Sequence, residues 1–405
     1  MKTHHALPLV ALLPLVLAAA ASPPATSPPA TATAAVTPTV APPVSVTVGN
    51  PLASARHRET IALRISELAE LAPGFDAKQT IVTDSAGKEV LSQLVDTNGD
   101  ETVDEIVFQT DLAAKETKSF KVKTGARRPA NRDEYRAYGR FVRERYDDFA
   151  WENDLVAHRV YGTALETHPK EPLTSSGVDV WVKRVPRLVV NDWYMTDNYH
   201  KDNGEGADYY SVGKSRGCGG LGVWAGGKLS VSKNFTQSRV LASGPIRLVF
   251  ELTYAPWDAG GTKVAETKRV TLDAGTQWNH VESTFTAKKG PLSVGIGIAK
   301  HADSKMTVDG PGGSLRVWEP LDGGKAGNLG TAIVLPPGAK LEEHHGDLEY
   351  LVVTPASSDG RLGFYSGSAW DRAGKIRDAT AWAAEVQSLA AKLAAPVKVS
   401  LAVEK

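Results

Sequence analysis

The run IRLVFELTY at residues 246–254 alternates apolar and polar side chains, and this alternation decides the fold class. Arg247 and Glu251 occupy one face of the expected strand. The opposite face carries Ile246, Leu248, Phe250 and Leu252. A period of two residues is typical of a β-strand that has one face on a core and the other on water. We therefore expect a strand of an antiparallel sheet here.

The next two runs repeat this pattern and predict neighbouring antiparallel strands. They are ETKRVTLD at 266–273 and NHVESTFT at 279–286, and the intervening Ala274-Gly275 is typical of a turn. In the second run, His280 and Glu282 lie opposite the apolar residues. The shared polar face is either a solvated outer surface or the lining of a concave sugar-binding groove, and the pattern leaves both open.

Further strand patterns surround these three runs, and one helix follows them. Strands are expected at residues 178–183, 292–299, 331–335, 349–354, 362–366 and 397–401. Residues 377–395 predict a helix, because apolar side chains recur at spacings of four, three and four, and Pro396 stops it. The expected fold is mainly β, with a large antiparallel β-sandwich at 126–405 that carries one C-terminal helix.

The N-terminal part predicts a small β domain at residues 44–125. The leucines within residues 63–71 also fit a helix. Strands are expected at 44–48, 60–65, 80–83, 105–109 and 119–123.

Two segments precede this domain. Residues 1–21 predict a signal peptide, because a basic start and an apolar core are followed by small residues for cleavage. Residues 22–43 are rich in Pro, Ala and Thr and predict a disordered tether. We therefore expect an exported protein, either periplasmic or extracellular.

Composition argues against several classes of function. The chain has 46 basic and 46 acidic residues, so its zero formal net charge predicts no attraction to nucleic acid. No run after the N-terminus approaches about 18 consecutive apolar residues, so no membrane span is expected. Cys218 is the single cysteine, which excludes an intrachain disulfide and favours a packed residue over a nucleophile.

Residues 191–224 form a long, glycine-rich stretch in which aromatic and titratable side chains are mixed. A loop of this length is uncommon as a mere connector. We expect catalytic roles for His200 and Tyr199. The expected substrate contacts in this stretch are Glu205, Tyr209, Tyr210 and Arg216. The alternative is a structured surface loop held by aromatic packing.

The segment at residues 147–162 offers a second group of candidates. As a strand, it places His158 on one face and Arg159 on the other. His158 is a further candidate for the catalytic base. The expected substrate contacts here and on the strand at 178–183 are Trp151, Glu152, Asn153, Arg159, Tyr161 and Lys183. An ordinary strand entry is the alternative.

These residue types suit an acidic sugar. Aromatic rings stack on sugar rings, and Arg or Lys binds the carboxylate of a uronate. Removing the proton beside that carboxylate needs a base and a cation that holds the developing negative charge. The polar sheet face would add Arg247, Glu251, His280 and Glu282 to the binding surface. Glu152 and Glu205 would instead serve a hydrolase, if their separation suited one.

An acidic loop at residues 96–105 resembles a calcium loop, because oxygen-bearing side chains alternate along a tight turn. Its glycine stands at position four rather than six, and Val107 replaces the glutamate expected at position twelve. The candidate metal ligands are Asp96, Asn98, Asp100 and Asp104. An acidic hairpin turn is the alternative. The expected chemistry requires no cofactor, and calcium is the one candidate.

Several long runs resemble a bacterial family, the domain of unknown function numbered 4861. They lie at residues 93–109, 147–166, 175–184, 199–224, 244–254 and 266–275. Members of such families are typically exported and encoded among polysaccharide-degrading enzymes, often those for pectin. The resemblance implies a carbohydrate-active role on uronate-containing oligosaccharides, as a lyase or dehydratase. It also implies a supersandwich similar to that of galactose mutarotases.

The leading hypothesis is an exported enzyme that processes an acidic oligosaccharide by β-elimination or dehydration. Its rivals are a glycoside hydrolase with paired carboxylates, a non-catalytic carbohydrate-binding protein, and a sugar epimerase or mutarotase. The expected partner is the oligosaccharide, with no nucleic acid and no membrane.

Overall fold

Antiparallel strands make up most of the protein, as the alternating patterns predict. The computed structural model describes residues 41–287, 290 and 292–404. The predicted signal peptide and nearly all of the predicted tether lie outside the described residues. No helix of the described part is long and apolar enough to cross a membrane.

The helices and strands follow one another along the chain, and the helices are α1 Ile65–Leu71, α2 Val190–Thr196 and α3 Ala379–Ala394. The strands are β1 Val44–Gly49, β2 Arg56–Arg64, β3 Thr80–Asp84, β4 Glu89–Val90, β5 Ser92–Val95, β6 Glu105–Leu112, β7 Thr117–Thr124, β8 Ala137–Val142, β9 Asp148–Asn153, β10 Ala157–Val160, β11 Asp179–Lys183, β12 Gly206–Ala207, β13 Cys218–Ala225, β14 Lys228–Ser230, β15 Phe235–Ala242, β16 Arg247–Asp258, β17 Lys263–Asp273, β18 Trp278–Ala287, β19 Ser293–Ala299, β20 Lys305–Asp309, β21 Ser314–Pro320, β22 Asn328–Val334, β23 Glu342–His345, β24 Glu349–Pro355, β25 Arg361–Trp370 and β26 Lys398–Val403.

The N-terminal strands form two sheets around a core of their own. One sheet has the order β26-β1-β7-β3-β4 and the other β2-β6-β5. Their shared core includes Val46, Ile61, Leu68 and Phe108. Leu68 lies on α1, so residues 65–71 are helical and the helical alternative is the right one there. Strand β26 pairs with β1, so the C-terminus completes an N-terminal sheet. The division of the chain at residue 125 stays a prediction.

The large sandwich packs an eight-stranded sheet against five-stranded sheets. The eight-stranded order is β15-β16-β17-β18-β25-β22-β21-β20, and one five-stranded sheet has the order β14-β13-β19-β24-β23. Register places Phe250, Val270, Val281 and Phe364 in one row across four strands. This row is buried in the sandwich core. Burial of such side chains stabilises the fold by about 1.5–3 kcal/mol each. The predicted antiparallel β-sandwich is confirmed.

A third sheet, with the order β12-β11-β10-β9-β8, carries many of the candidate residues. Its inner face contributes Trp151 to the sandwich core. Its outer face is covered by α2 and the following chain, through Trp193 and Tyr199. Every residue of β9, β10 and β11 is therefore buried.

The predicted C-terminal helix is confirmed as α3. Its N-terminus is capped by the Asp378 side chain, which accepts a hydrogen bond from the backbone N–H of Ala381. Trp382 and Leu389 pack on the outer face of the eight-stranded sheet. There the ring of Trp382 stacks on that of Trp278, with centroids 5.2 Å apart. The helix thereby forms a wall above the polar face of that sheet.

Candidate functional site

A cavity of about 750 Å³ lies between the outer face of the eight-stranded sheet, strand β2 and helix α3. This volume is typical of a site for a small ligand. Its polar wall includes His57, Arg58, Glu59, Arg247, Thr271, Asp273, His280 and Tyr365. Its apolar wall includes Ile376, Leu389, Leu393, Pro396 and Val397.

Strand register brings the polar residues of the sheet together. Arg247 pairs with Asp273 across β16 and β17. Thr271 pairs with His280, and His280 pairs with Tyr365 on β25. Paired residues of antiparallel strands point to the same face. The polar face is therefore the floor of a cavity at this end of the sheet, and sugar binding there stays a prediction.

His280 is an imidazole poised to accept a proton. Its ring stacks on Tyr365, with centroids 4.6 Å apart and an angle of 20° between the planes. Burial lowers the pKa of His280, against the opposing charge of Glu282. Burial also raises the pKa of Tyr365. At neutral pH the histidine is therefore neutral and the tyrosine keeps its proton.

Arg247 is held rigidly beside this pair. Its Nε and Nη2 donate to the two carboxylate oxygens of Asp273, at 2.7 and 2.9 Å, and its Nη1 donates to Glu105 at 3.2 Å. Burial alone would lower the pKa of Arg247, but the charge of Asp273 and that of Glu105 keep it above its usual value. Arg247 stays charged and orders the floor of the cavity.

Strand β2 supplies a second polar wall, which sequence reasoning missed. The strand is irregular between Arg56 and Glu59, and Arg58 has a positive φ of 46°. Arg58 forms an ion pair with Asp154, whose other carboxylate oxygen accepts a hydrogen bond from the N–H of Gly275. Irregular strands re-aim side chains, and the basic run at residues 56–58 was the available signal.

Trp278 and Tyr365 were also missed. Trp278 lines the cavity and donates its indole N–H to Glu385 of α3 at 3.0 Å. Tyr365 lies 85 residues from His280 in sequence, and the pairing of β18 with β25 brings the two together. The local sequence around Trp278 or Tyr365 does not predict that either residue lines the cavity.

Two residues predicted for the polar face lie beyond the cavity lining. Glu251 binds the guanidinium groups of Arg269 and Arg239, at 2.7 and 3.0 Å. Glu282 is exposed and acts on the cavity through its charge near His280. Of the four residues predicted on this face, the cavity brings together Arg247 and His280.

His158 is fully buried, which corrects its expected role as a base. Its ring stacks on Trp151, with centroids 5.3 Å apart, and its Nε2 lies 3.1 Å from the side-chain nitrogen of Asn279. Trp151 donates its indole N–H to the oxygen of the same Asn279. Burial lowers the pKa of His158 to about 4. Both rings face the sandwich core, where no substrate reaches them.

Glu152, Asn153 and Lys183 are also internal, so they bind the chain itself rather than a substrate. Lys183 Nζ donates to Glu152 at 2.7 Å, and both side chains are fully buried. Glu152 also accepts the N–H groups of Val189 and Val190 at the start of α2. The Asn153 side chain donates to backbone carbonyls of the 273–276 turn. This geometry removes Glu152 as half of a hydrolase pair.

Arg159 is the centre of a buried ionic group, here called the Arg159 cluster, of Arg159, Asp148, Asp179 and Asp208. Arg159 donates to Asp179 at 2.8 Å and to Asp208 at 2.7 Å, and Asp148 lies 3.5 Å away. Tyr161 donates its hydroxyl to Asp179 at 3.2 Å and is buried. Burial raises the pKa of Asp148 to about 7 and that of Asp208 well above its usual value.

His200 and Tyr199 lie above this cluster. His200 is exposed, and its Nδ1 is 3.5 Å from Asp208. Tyr199 is buried beneath it, and its hydroxyl accepts a hydrogen bond from Arg145 Nε at 2.8 Å. His200 is therefore the accessible member of the two catalytic residues predicted in residues 191–224.

The other candidates of that stretch are mostly structural. Glu205 accepts hydrogen bonds from Nε and Nη2 of Arg187 and lines a small cavity of about 150 Å³. Arg216 is buried and donates to the Ser176 hydroxyl at 2.8 Å. Tyr210 is buried and Tyr209 half-buried, both in a core cluster that also holds Cys218. Burial raises the pKa of the Cys218 thiol to about 12.

The acidic loop at residues 96–105 uses its own oxygens to order its backbone. Asp96 accepts hydrogen bonds from the N–H groups of Asn98, Gly99 and Glu101. Asp104 accepts the N–H and hydroxyl of Thr97, both at 2.7 Å. Across the described ranges, no group of three or more His, Cys, Asp or Glu side chains is arranged to hold a metal ion. The geometry is that of the hairpin alternative.

Comparison with known proteins gives a family and distant structural neighbours. A family model described as "Domain of unknown function (DUF4861)" matches residues 48–399. The "Uncharacterized protein P7" of Formosa agariphila is 33% identical over 375 residues, which cover 88% of this chain and 93% of that protein.

Two solved structures are similar at 11% sequence identity, each over 90% of this chain. An alpha-mannosidase from Enterococcus faecalis V583 has a TM-score of 0.44, with 46% of that chain covered. A protein in the glycosyl hydrolase family 38 from Enterococcus faecalis has a TM-score of 0.46, with 48% covered. The chain thus spans about half the length of these solved structures.

Proposed function

The chain belongs to the DUF4861 family, and we propose that it is a carbohydrate-active enzyme whose cavity binds a uronate-containing oligosaccharide. The observation that carries this proposal is the neutral His280, stacked on Tyr365 at the floor of the 750 Å³ cavity. A neutral imidazole accepts a proton, and a cavity of this size holds an oligosaccharide segment.

The charge of the lining supports an acidic ligand. Five Arg or Lys side chains and three carboxylates line the cavity. Lys375 and Lys392 form no ion pair with any described residue, so they are free to meet a carboxylate. Trp278 adds an aromatic side chain to the lining. A uronate would place its carboxylate among these cations and its ring against the aromatic and apolar walls.

The proposed reaction is an elimination. His280 takes the proton from the carbon beside the uronate carboxylate. The electron pair of that C–H bond forms a carbon–carbon double bond, and the bond to the oxygen on the next carbon breaks. Tyr365 gives its proton to the departing oxygen, and the proton on His280 returns to the tyrosine through water. If that oxygen joins two sugars the reaction is a lyase step, and if it is a hydroxyl the reaction is a dehydration.

The test measures ultraviolet absorbance of the unsaturated uronate in mixtures of the full-length protein with oligogalacturonides and other uronate oligomers. We expect absorbance to grow with the wild-type protein and not with His280→Ala. An exposed histidine on β23, His345, provides the matched control, because His345→Ala leaves the cavity intact. A rise in reducing ends without absorbance would show hydrolysis and would contradict the elimination.

The pH profile gives a second readout. Because burial holds the pKa of His280 below that of an ordinary histidine, activity should persist to a lower pH than for a histidine in water. Activity should then fall as the imidazole gains its proton. A profile that falls above pH 7 on acidification would exclude His280 as the base.

We also propose that the protein is exported and acts on polymers such as pectin. The support for export is the signal-like pattern at residues 1–21, which lies outside the described part of the chain. Fractionation of cells that express the full chain, or a form without residues 1–21, tests it. Equal retention of both forms in the cytoplasm would contradict export.

A further inference from the structure

A pair of aromatic rings lies outside the cavity, at the turn before β9. The ring of Tyr146 packs against the ring of His168, with centroids 3.9 Å apart and an angle of 40° between the planes. Tyr146 is 36% exposed. The guanidinium carbon of Arg145 lies 5.0 Å from the centre of the same ring. Aromatic faces on a surface present a flat apolar area that fits the C–H face of a sugar ring.

The backbone beneath this pair of rings is strained. Tyr146 and Asp147 are consecutive non-glycine residues in the left-handed region, with φ of 51° and 66°. Such residues persist only where the surrounding structure fixes them, and they cluster at functional sites. Gly162 allows the turn, because a Cβ there would lie on the carbonyl group of Asp147. The next residue, Asp148, is held in the Arg159 cluster.

Arg145 connects Tyr146 to Tyr199 and His200. Arg145 donates its Nε to the Tyr199 hydroxyl at 2.8 Å, and the rings of Tyr199 and His200 lie 4.5 Å apart. Arg145 Nη2 donates to Glu171, a carboxylate whose side chain is 64% exposed. The Arg145 side chain is 14% exposed, so the exposed partner of this ion pair is Glu171, and a ligand carboxylate would replace Glu171 at Arg145 Nη2. We call Arg145, Tyr146, His168 and His200 the Tyr146 platform.

The platform and the cavity lie at opposite ends of one strand. Strand β9 runs from Asp148, next to the platform, to Asn153, which contacts the 273–276 turn at the cavity. Six strand residues span roughly 20 Å. Members of the platform do not line the cavity. The two surfaces are therefore separate, at a spacing that several linked sugars cover.

We propose that the Tyr146 platform is a second carbohydrate-binding surface, which holds a distal part of an acidic polysaccharide by stacking and by Arg145. The class of ligand rests on the proposed function, but the surface does not need the cavity reaction. It increases retention of long chains and leaves the chemistry on short oligosaccharides unchanged.

The test is affinity gel electrophoresis of the full chain with polygalacturonate or alginate in the gel, and with dextran as the neutral control. We expect retardation of the wild-type protein by an acidic polymer and about tenfold weaker retardation of Tyr146→Ala and His168→Ala. Tyr146→Phe keeps the ring and should keep most of the retardation. Tyr135→Ala removes the other exposed tyrosine and is the matched control.

The platform is overturned if Tyr146→Ala is retarded as strongly as the wild-type protein, or if neither acidic polymer retards the wild type. It is also overturned if His280→Ala loses retardation while Tyr146→Ala and His168→Ala keep it, because the cavity would then hold the polymer alone. Retardation that depends on Tyr146 in a protein without turnover would support the platform and contradict the proposed elimination. Turnover of short oligomers together with retardation that does not depend on Tyr146 would support the elimination and contradict the platform.

Discussion

The cavity and the Arg159 cluster contain nearly the same residue types in opposite surroundings. Each has an arginine that binds more than one carboxylate, Arg247 or Arg159, and a tyrosine in the same group. In the cavity, His280 and Tyr365 face open space between the sheet and α3. In the cluster, α2 and the chain after it cover every member. Residue type therefore does not distinguish a candidate ligand site from a buried structural cluster. What distinguishes them is whether another part of the chain packs over that face of the sheet.

The difference has an energetic side. A buried ion group loses much of its favourable energy to desolvation, and removing one partner leaves a buried charge without compensation. The Arg159 cluster therefore fixes β9, β11 and the chain near residue 208 to one another. The cavity residues carry less of the stability of the fold and are free to act on a ligand. Changes in the two regions should separate activity from stability.

The largest expected effect is on activity, from His280→Ala compared with His200→Ala. If His280 is the base, its loss lowers the rate of elimination by about 10²–10⁴-fold. His200 lies on the Tyr146 platform, so its loss should affect retention of long polymers and leave turnover of short oligomers near the wild-type value. Initial rates on short oligogalacturonides check this. Equal rate losses would erase the distinction between the two regions.

The next effect is on stability, from Arg159→Ala. Three carboxylates near a missing guanidinium should lower the free energy of unfolding by about 3–5 kcal/mol. Arg239→Ala is the matched control, since Arg239 is 52% exposed and bound to Glu251 and a backbone carbonyl. That exposed pair contributes about 0.2–1 kcal/mol. Urea unfolding of both variants measures the difference, and similar losses would mean that burial of the cluster has no energetic consequence.

A third effect concerns pH and Asp148. Burial raises the pKa of Asp148 from near 3.8 to about 7, so the folded state binds a proton that the unfolded state releases between these values. The stability that this proton provides is present below about pH 4 and is lost as the pH rises through 7. The loss is about 4 kcal/mol at most, at about 1.4 kcal/mol per pKa unit.

Asp148→Asn isolates this effect, because an amide has no proton to lose there. The free energy of unfolding of the wild type, relative to that of the variant, should fall between pH 4.5 and pH 8. Asp273→Asn in the cavity is the matched variant for the same measurement of unfolding free energy against pH, because Asp273 is half-buried and bound by Arg247. A wild-type-minus-variant difference that stays flat for Asp148→Asn would show that Asp148 is ionised throughout this range.

The sequence predicted which side chains share a strand face, but it did not predict which of these faces are buried by other parts of the chain. Alternation in residues 246–254 and 279–286 correctly placed Arg247 and His280 on one polar face. The same alternation placed His158 and Arg159 on opposite faces, which is correct, but it could not show that both faces are covered. A helix from elsewhere in the chain, α2, buries the second face. A period-two pattern predicts a strand, but it does not show whether a segment distant in sequence packs on the polar face of that strand.

The smallest expected effect belongs to the acidic loop at residues 96–105, which is exposed at residues 98–102 and forms hydrogen bonds within itself. Asp96→Ala removes three backbone hydrogen bonds, but water replaces them because the donor residues Asn98, Gly99 and Glu101 are exposed. The melting temperature should therefore fall by about 2 °C or less. The measurement is made in chelator, with Asp100→Ala as the matched variant. Calcium is then added to the wild type. A rise in melting temperature that Asp96→Ala abolishes would show that these oxygens also hold a cation. The loop would then be a ligand-binding region, as proposed for the cavity, rather than a region that binds only the chain itself, as the Arg159 cluster does.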